Sequence, residues 1–237
     1  MSDIHPLLIS FSGIDGAGKS TQITRLIESL ESAGLTVRLI TFWDDVVALK
    51  GLREGVGHKV FKGDKGVGSP DAPIARRDKN VKSPLLSVFR MALYVLDAMS
   101  LNRTVKSIRT KPSESEPDVV IFDRYIFDEL VNLDFGNPFN RMYVKGMLHL
   151  ATRPHVAFVL DADPDAAFAR KPEYPLDFLH ANRNAYLNFA RVAGMTVIPA
   201  GTIDQAQVRI RQAVLDETKA SLSGTGTARH LIEPNEG

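Results

Sequence analysis

Nine consecutive residues, Gly13-Ile14-Asp15-Gly16-Ala17-Gly18-Lys19-Ser20-Thr21, carry the chain's most legible chemistry. They fit G-x-x-x-x-G-K-[ST] without a mismatch. That spacing suits a polyphosphate, because glycines admit positive φ and let successive backbone N–H groups close around an anion. A helix opening at the lysine adds free amides and the positive end of its dipole. Lys19 then reaches the β- and γ-phosphates, and the Ser20 hydroxyl is a ligand for Mg²⁺. Gly13, Asp15, Gly16, Ala17, Gly18, Lys19, Ser20 and Thr21 are therefore assigned to ATP and Mg²⁺. The competing reading is a glycine turn capping an ordinary α/β unit.

The flanking elements favour the anion site. Leu7-Leu8-Ile9-Ser10-Phe11 reads as a buried strand, and Ile23, Leu26, Ile27 and Leu30 recur at helical spacing after the loop. Further strands are expected at Val37 to Phe42, Val119 to Phe122 (ending at Asp123), Val156 to Leu160 (ending at Asp161) and Met195 to Pro199. Strands alternating with helices predict a three-layer α/β/α fold with a mostly parallel five-stranded sheet. Ligands of such sheets bind at the carboxyl ends of the strands, where Gly13, Asp123 and Asp161 fall.

A long helix from Pro84 to about Ile108 has Ser83 as N-cap, and apolar residues on nearly all sides predict that it is mostly buried. Arg90, Tyr94 and Asp97 share one of its faces, either as an internal polar cluster or as a substrate-facing stripe. Later helices are expected at Asn140 to Leu150, Pro164 to Arg170, Asp177 to Ala193 and Asp204 to Leu222.

Composition bounds the rest. The 237 residues suit a single domain over 1–220, with 221–237 as a poorly ordered tail. A formal charge of +1 argues against a general nucleic-acid binder. Residues 50–82 nonetheless hold nine Lys or Arg against four acids, so the remainder of the chain carries −4. This basic, glycine-rich insert is of the kind used for functional lids or left unstructured. A nucleic-acid or lipid contact there is disfavoured, since Phe61 is its only aromatic residue. The absence of cysteine fits a cytoplasmic protein, the N-terminus does not resemble a signal peptide, and no apolar run is long enough to span a membrane.

The segment FSGIDGAGKSTQITRLIESLESAGLTV resembles the opening of the thymidylate kinases, F-x-G-x-D-G-x-G-K-[ST]-T. Asp123-Arg124-Tyr125 is similar to that family's D-R-[YH] motif. LDADPDAAFAR and FLHANRNAYLNFA resemble its lid entry and the helix that follows. The resemblance implies a nucleoside-monophosphate kinase with a nucleotide acceptor and a tendency to form homodimers, whereas the lid of this chain, Lys171 to Pro175, is short and stiffened by Pro172 and Pro175. It implies that Arg124 grips the acceptor phosphate, as suits the forked guanidinium, and that Asp15 and Asp123 orient Mg²⁺ or a sugar hydroxyl. A glycine after the loop acid, here Gly16, goes in that family with an arginine from the lid. Arg170 stands in that position and is assigned transition-state charge stabilisation.

The acceptor side departs from the pattern. Thr41-Phe42-Trp43-Asp44-Asp45 replaces the family's R-E-P-G-G-T, and Ala98 stands where an arginine should read the base. Asp128, Glu129 and Asn132 replace small polar residues. The carboxylates Asp128 and Glu129 suit an exocyclic amine or sugar hydroxyls, or else face solvent or pair with lysine. Three readings follow: a thymidylate kinase, a kinase of the same fold with another nucleotide, nucleoside or sugar phosphate as acceptor, and a non-catalytic ATP-binding protein.

Overall fold

A computed structural model of the chain describes residues 5–48, 84–110 and 117–225. The basic insert and residues 226–237 of the expected tail lie outside the described residues.

Five strands form one parallel sheet in the order β2-β3-β1-β4-β5. They are β1 (Leu7–Ser12), β2 (Val37–Thr41), β3 (Val119–Asp123), β4 (Val156–Leu160) and β5 (Thr196–Ile198). Helices α1 (Lys19–Ser32) and α7 (Ile203–Thr225) cover one face. On the other lie α2 (Pro84–Thr110), the single turn α3 (Phe127–Leu130), α4 (Pro138–Leu150) and α6 (Leu176–Ala193). The short α5 (Pro164–Arg170) follows β4.

The layering follows from alternation along the strands. Ile9 and Phe11 of β1 point into the core under α1 and α7, whereas Leu8 joins the core on the opposite face. Val119 and Ile121 of β3 likewise oppose Val120 and Phe122. Each fully buried side chain of this size contributes about 1.5–3 kcal/mol relative to an exposed one. Phe11 and Phe158 tie the two central strands together, with ring centroids 5.1 Å apart.

Local chemistry starts the helices that matter for the site. Asn137 accepts from Phe139 N at 2.9 Å and Asp163 accepts from Ala166 N at 2.9 Å, each followed by proline at the first helical position. Gly194 ends α6 in the left-handed conformation at φ 68°.

Three sequence expectations need correcting. Strand β2 stops at Thr41, and Phe42–Val46 forms a π-helical turn. The Asp45 carboxylate accepts from Thr41 N at 2.7 Å and Val47 N donates to Phe42 O at 3.0 Å, so the chain curls where an extended strand was expected. Helix α2 is not mostly buried: Val88, Phe89, Leu96 and Met99 are exposed, because no described element covers that side. Helix α7 also runs past the expected end at Leu222, to Thr225. Among the described residues no helix is long and apolar enough to cross a membrane.

Candidate functional site

The carboxyl ends of β1, β3 and β4 are neighbours in the sheet, and the residues singled out by motif gather there. β1 runs into the glycine loop, where Gly13, Gly16 and Gly18 have φ of 137°, 79° and 87°. Two of these glycines are required by close approach. A β-carbon on Gly13 would meet the Leu160 carbonyl at 2.7 Å, and one on Gly16 would meet that of Ala167 at 2.5 Å. Gly18 opens α1 from the left-handed region, with nothing within 4 Å of its β-carbon direction.

The loop is built to receive an anion. The amides of Asp15, Gly16 and Gly18 find no acceptor among the described residues. Lys19 is buried and turns its ammonium onto the carbonyls of Gly13 and Ile14, each at 2.9 Å. Burial, then the neighbouring charge of Arg124, pulls its pKa down to about 8. A cation held in so low a dielectric is short of negative charge, which a polyphosphate supplies. The first turn of α1 exposes Ser20 and Thr21.

Arg124 follows β3 with φ 67°, a left-handed conformation rare outside glycine. Its amide is held by the Phe11 carbonyl at 2.9 Å. The guanidinium makes an ion pair with Asp15 through Nη2 and another with Asp128 through Nη1, the second at 3.0 Å. Burial opposes the charge on Arg124, but Asp128, Tyr186, Asp15 and Asp123 outweigh it and push its pKa up. Asp123 is half-buried beside these groups, and its carboxylate accepts no hydrogen bond among the described residues. No group of three or more His, Asp or Glu able to hold a metal ion is found among the described residues, so the oxygen ligands a divalent cation prefers would be those of Ser20, Asp15 and Asp123 together with the phosphates.

The lid side comes from β4. Arg170 is exposed and donates from Nε to the carbonyl of Gly16 at 3.0 Å. Asp161 at the strand end forms a two-point ion pair with Arg183 of α6, with Nε 2.5 Å from Oδ1 and Nη2 2.8 Å from Oδ2. That hydrogen-bonded pairing raises the pKa of Arg183 and anchors α6 to the strand that leads into α5. Between the loop and the β5–α7 turn lies a cleft of about 300 Å³, lined by Gly18, Thr21, Asp161, Arg170, Pro199 and Ile203, among others.

The remaining expected residues sit on α2 and α3. Tyr94 and Asp97 are buried, and Asp97 Oδ1 accepts from Ala48 N at 2.8 Å, which ties α2 to the chain after the π-helical turn. Arg90 is half-buried on the same helix, one turn earlier. Glu129 is buried on α3 and lies near Tyr143, whose phenol is pushed up by burial and then by the charges of Glu129 and Asp97. Tyr143 donates to the Met91 carbonyl at 2.6 Å, so it belongs to this side of the site although no motif marks it. Ala98 is fully buried in the larger core. Asp128, expected on the acceptor side, instead turns behind Arg124, where it meets Ser12 and Tyr186, two residues missed from the sequence.

No family model matches the chain. It is 27% identical over 238 residues to a thymidylate kinase from Symbiobacterium thermophilum, covering 93% of this chain and 98% of that protein. It is 28% identical to a thymidylate kinase from Bifidobacterium longum subsp. infantis, covering 78% of this chain and 74% of that one. Among solved structures, a thymidylate kinase from Ehrlichia chaffeensis aligns with a TM-score of 0.51 at 18% identity, over 89% of this chain and 99% of that one. The likeness to thymidylate kinases thus extends along almost the whole chain, and the fold is the three-layer α/β/α P-loop fold expected from the motifs.

Proposed function

We propose that this thymidylate kinase-like chain transfers the γ-phosphoryl group of ATP to a nucleoside monophosphate, with thymidylate as the first acceptor. The observation that carries the reading is the convergence of two arginines from distant parts of the chain on one glycine loop. Arg124 engages Asp15 of the loop, and Arg170 engages the carbonyl of Gly16. A protein that only binds ATP has little use for an arginine on the acceptor side.

In this reading Lys19 and the loop amides hold the donor phosphates, and Arg124 turns the acceptor phosphate toward them. An acceptor oxygen attacks the γ-phosphorus, the bond to the β–γ bridging oxygen breaks, and ADP leaves with the electron pair. Catalysis of such a transfer rests on alignment and on neutralising the equatorial oxygens, the task assigned to Arg170 and Lys19. Mg²⁺, held by Ser20 with Asp15 and Asp123 beside it, would supply further positive charge to the phosphates. Tyr94, Arg90, Asp97 and Glu129 remain the proposed acceptor-side residues. An ADP-release assay across nucleoside monophosphates tests the reading, and no turnover with any of them would overturn it.

A second acceptor is favoured by one observation. Ala98, at the position of the expected base-reading arginine, is fully buried, and Asp97 beside it already serves the Ala48 amide. A site lacking a buried donor discriminates its base poorly, by roughly 10²–10⁴. Including nucleosides and sugar phosphates in the same panel decides between the two acceptors. The resemblance also suggests a homodimer, and the lack of cysteine fits a cytoplasmic one. The exposed apolar residues Val88, Phe89, Leu96 and Met99 of α2 are the surface we assign to it, testable by light scattering on the full chain.

A further inference from the structure

Asp128 sits at the centre of a network that the roles above leave unused. The residue is buried, and its carboxylate accepts four hydrogen bonds. Oδ2 receives Ser12 Oγ at 2.6 Å and Tyr125 N at 3.0 Å. Oδ1 receives Arg124 Nη1 at 3.0 Å and Tyr186 Oη at 2.7 Å. These donors come from the end of β1, the turn after β3 and the middle of α6, so the carboxylate cannot shift without disturbing three elements.

A buried carboxylate is costly unless a cation and hydrogen bonds compensate it, and here the cation is Arg124. Both ends of that arginine are thereby set: its left-handed backbone by the Phe11 carbonyl, its guanidinium by Asp128. The two carboxylates that flank the guanidinium differ. Asp15 belongs to the glycine loop and is partly exposed, with its side chain 25% accessible against 1% for Asp128. An incoming phosphate can take the place of Asp15 at Nη2, whereas Asp128 stays.

We infer that Asp128 is the positioning residue that fixes Arg124 by its Nη1 edge and leaves the Nη2 edge free to exchange Asp15 for an acceptor phosphate. The inference rests on the proposed kinase reading for the identity of that anion, and on the geometry alone for the fixing of Arg124. Ser12 and Tyr186 serve as struts that hold the carboxylate in place.

A double-mutant cycle tests this. Asp128→Asn should lower kcat/KM for the acceptor by about 10–10², with KM for ATP unchanged. In an Arg124→Ala background the same substitution should change kcat/KM by less than about twofold, because the residue it acts through is gone. Equal losses in both backgrounds would overturn the proposal. A second readout is independent of turnover: the side-chain N–H resonances of Arg124 in the full chain, restrained in the parent protein and averaged in Asp128→Asn. Unchanged resonances would also overturn it. If no acceptor turns over at all, the kinase reading fails while the Arg124 resonances still decide the positioning role. Should Asp128→Asn not fold, Tyr186→Phe and Ser12→Ala, each removing one strut, are expected to loosen the same resonances, and a rigid Arg124 in both would reject the idea.

Discussion

The carbonyl oxygen of Ala167 lies 2.5 Å from the point that a β-carbon on Gly16 would occupy. Helix α5 therefore rests directly on the glycine loop, and Arg170, one turn beyond Ala167, reaches the Gly16 carbonyl because of it. The pairing of this glycine with a lid arginine, suggested by resemblance, thus has a steric cause.

Gly16→Ala should fail on two counts, its φ of 79° and the Ala167 contact. Strain of this kind costs about 1–3 kcal/mol, and pushing α5 outward should also carry Arg170 off the loop. A lowered melting temperature together with at least a tenfold drop in kcat is expected. An unchanged melting curve would mean that α5 does not rest on the loop in solution.

Arg124→Ala should lower kcat/KM by a few orders of magnitude, the scale of a lost transition-state contact, while ATP affinity changes little. It should also lower stability, since Asp128 stays buried with its cation removed. Calorimetric titration with ATP is the discriminating measurement. A matching loss of ATP affinity would move Arg124 to the donor side.

Lys19 links nucleotide binding to pH. Only its charged form attracts phosphate, and its pKa in the free protein is about 8. Binding a polyphosphate restores the charge, so affinity should hold below pH 8 and weaken above it. Between pH 7 and about pH 9.5 the dissociation constant for ATP should rise about 30-fold. A flat profile would show that the ammonium is not the group that meets the phosphates.

His155 gives stability its own pH dependence. Its Nδ1 accepts from Leu8 N at 2.8 Å while its amide donates to Leu8 O at 2.8 Å, extending the pairing of β1 with the approach to β4. The ring nitrogen must be unprotonated to accept. Partial burial and then the charge of Arg109 hold its pKa below the ordinary 6.5. The folded value lies below the unfolded one, so this contribution is complete above pH 6.5 and is lost as pH falls through the folded pKa. The melting temperature should drop across that window, and His155→Gln should flatten the drop. An identical slope in the variant would assign the effect to other groups.

The glycine loop is legible in the sequence because its anion site is confined to nine neighbouring residues, whereas the helix expected from Asn140 begins at Pro138, its cap Asn137 having gone unread. Nor is the place of Asp128 legible. Its partners Ser12 and Tyr186 lie 116 and 58 residues away, and only the parallel order β3-β1-β4 brings them together. The four residues of α3 are too few to show a period, and the π-helical turn depends on Asp45 folding back on Thr41. Apolar residues on every side of α2 suggest burial on every side, yet periodicity cannot say whether a second surface exists to cover them. That is why Phe89 and Met99 were misread.

The left-handed backbone at Arg124 sets stability against side-chain chemistry at one position. An L-residue there costs roughly 1–2 kcal/mol that a glycine would not. Arg124→Gly should accordingly outlast Arg124→Ala on heating, although both lack the guanidinium. A glycine here would give a sturdier backbone with no cation to meet Asp15 and Asp128. What that strain secures is a guanidinium set between the glycine loop and the buried carboxylate of Asp128.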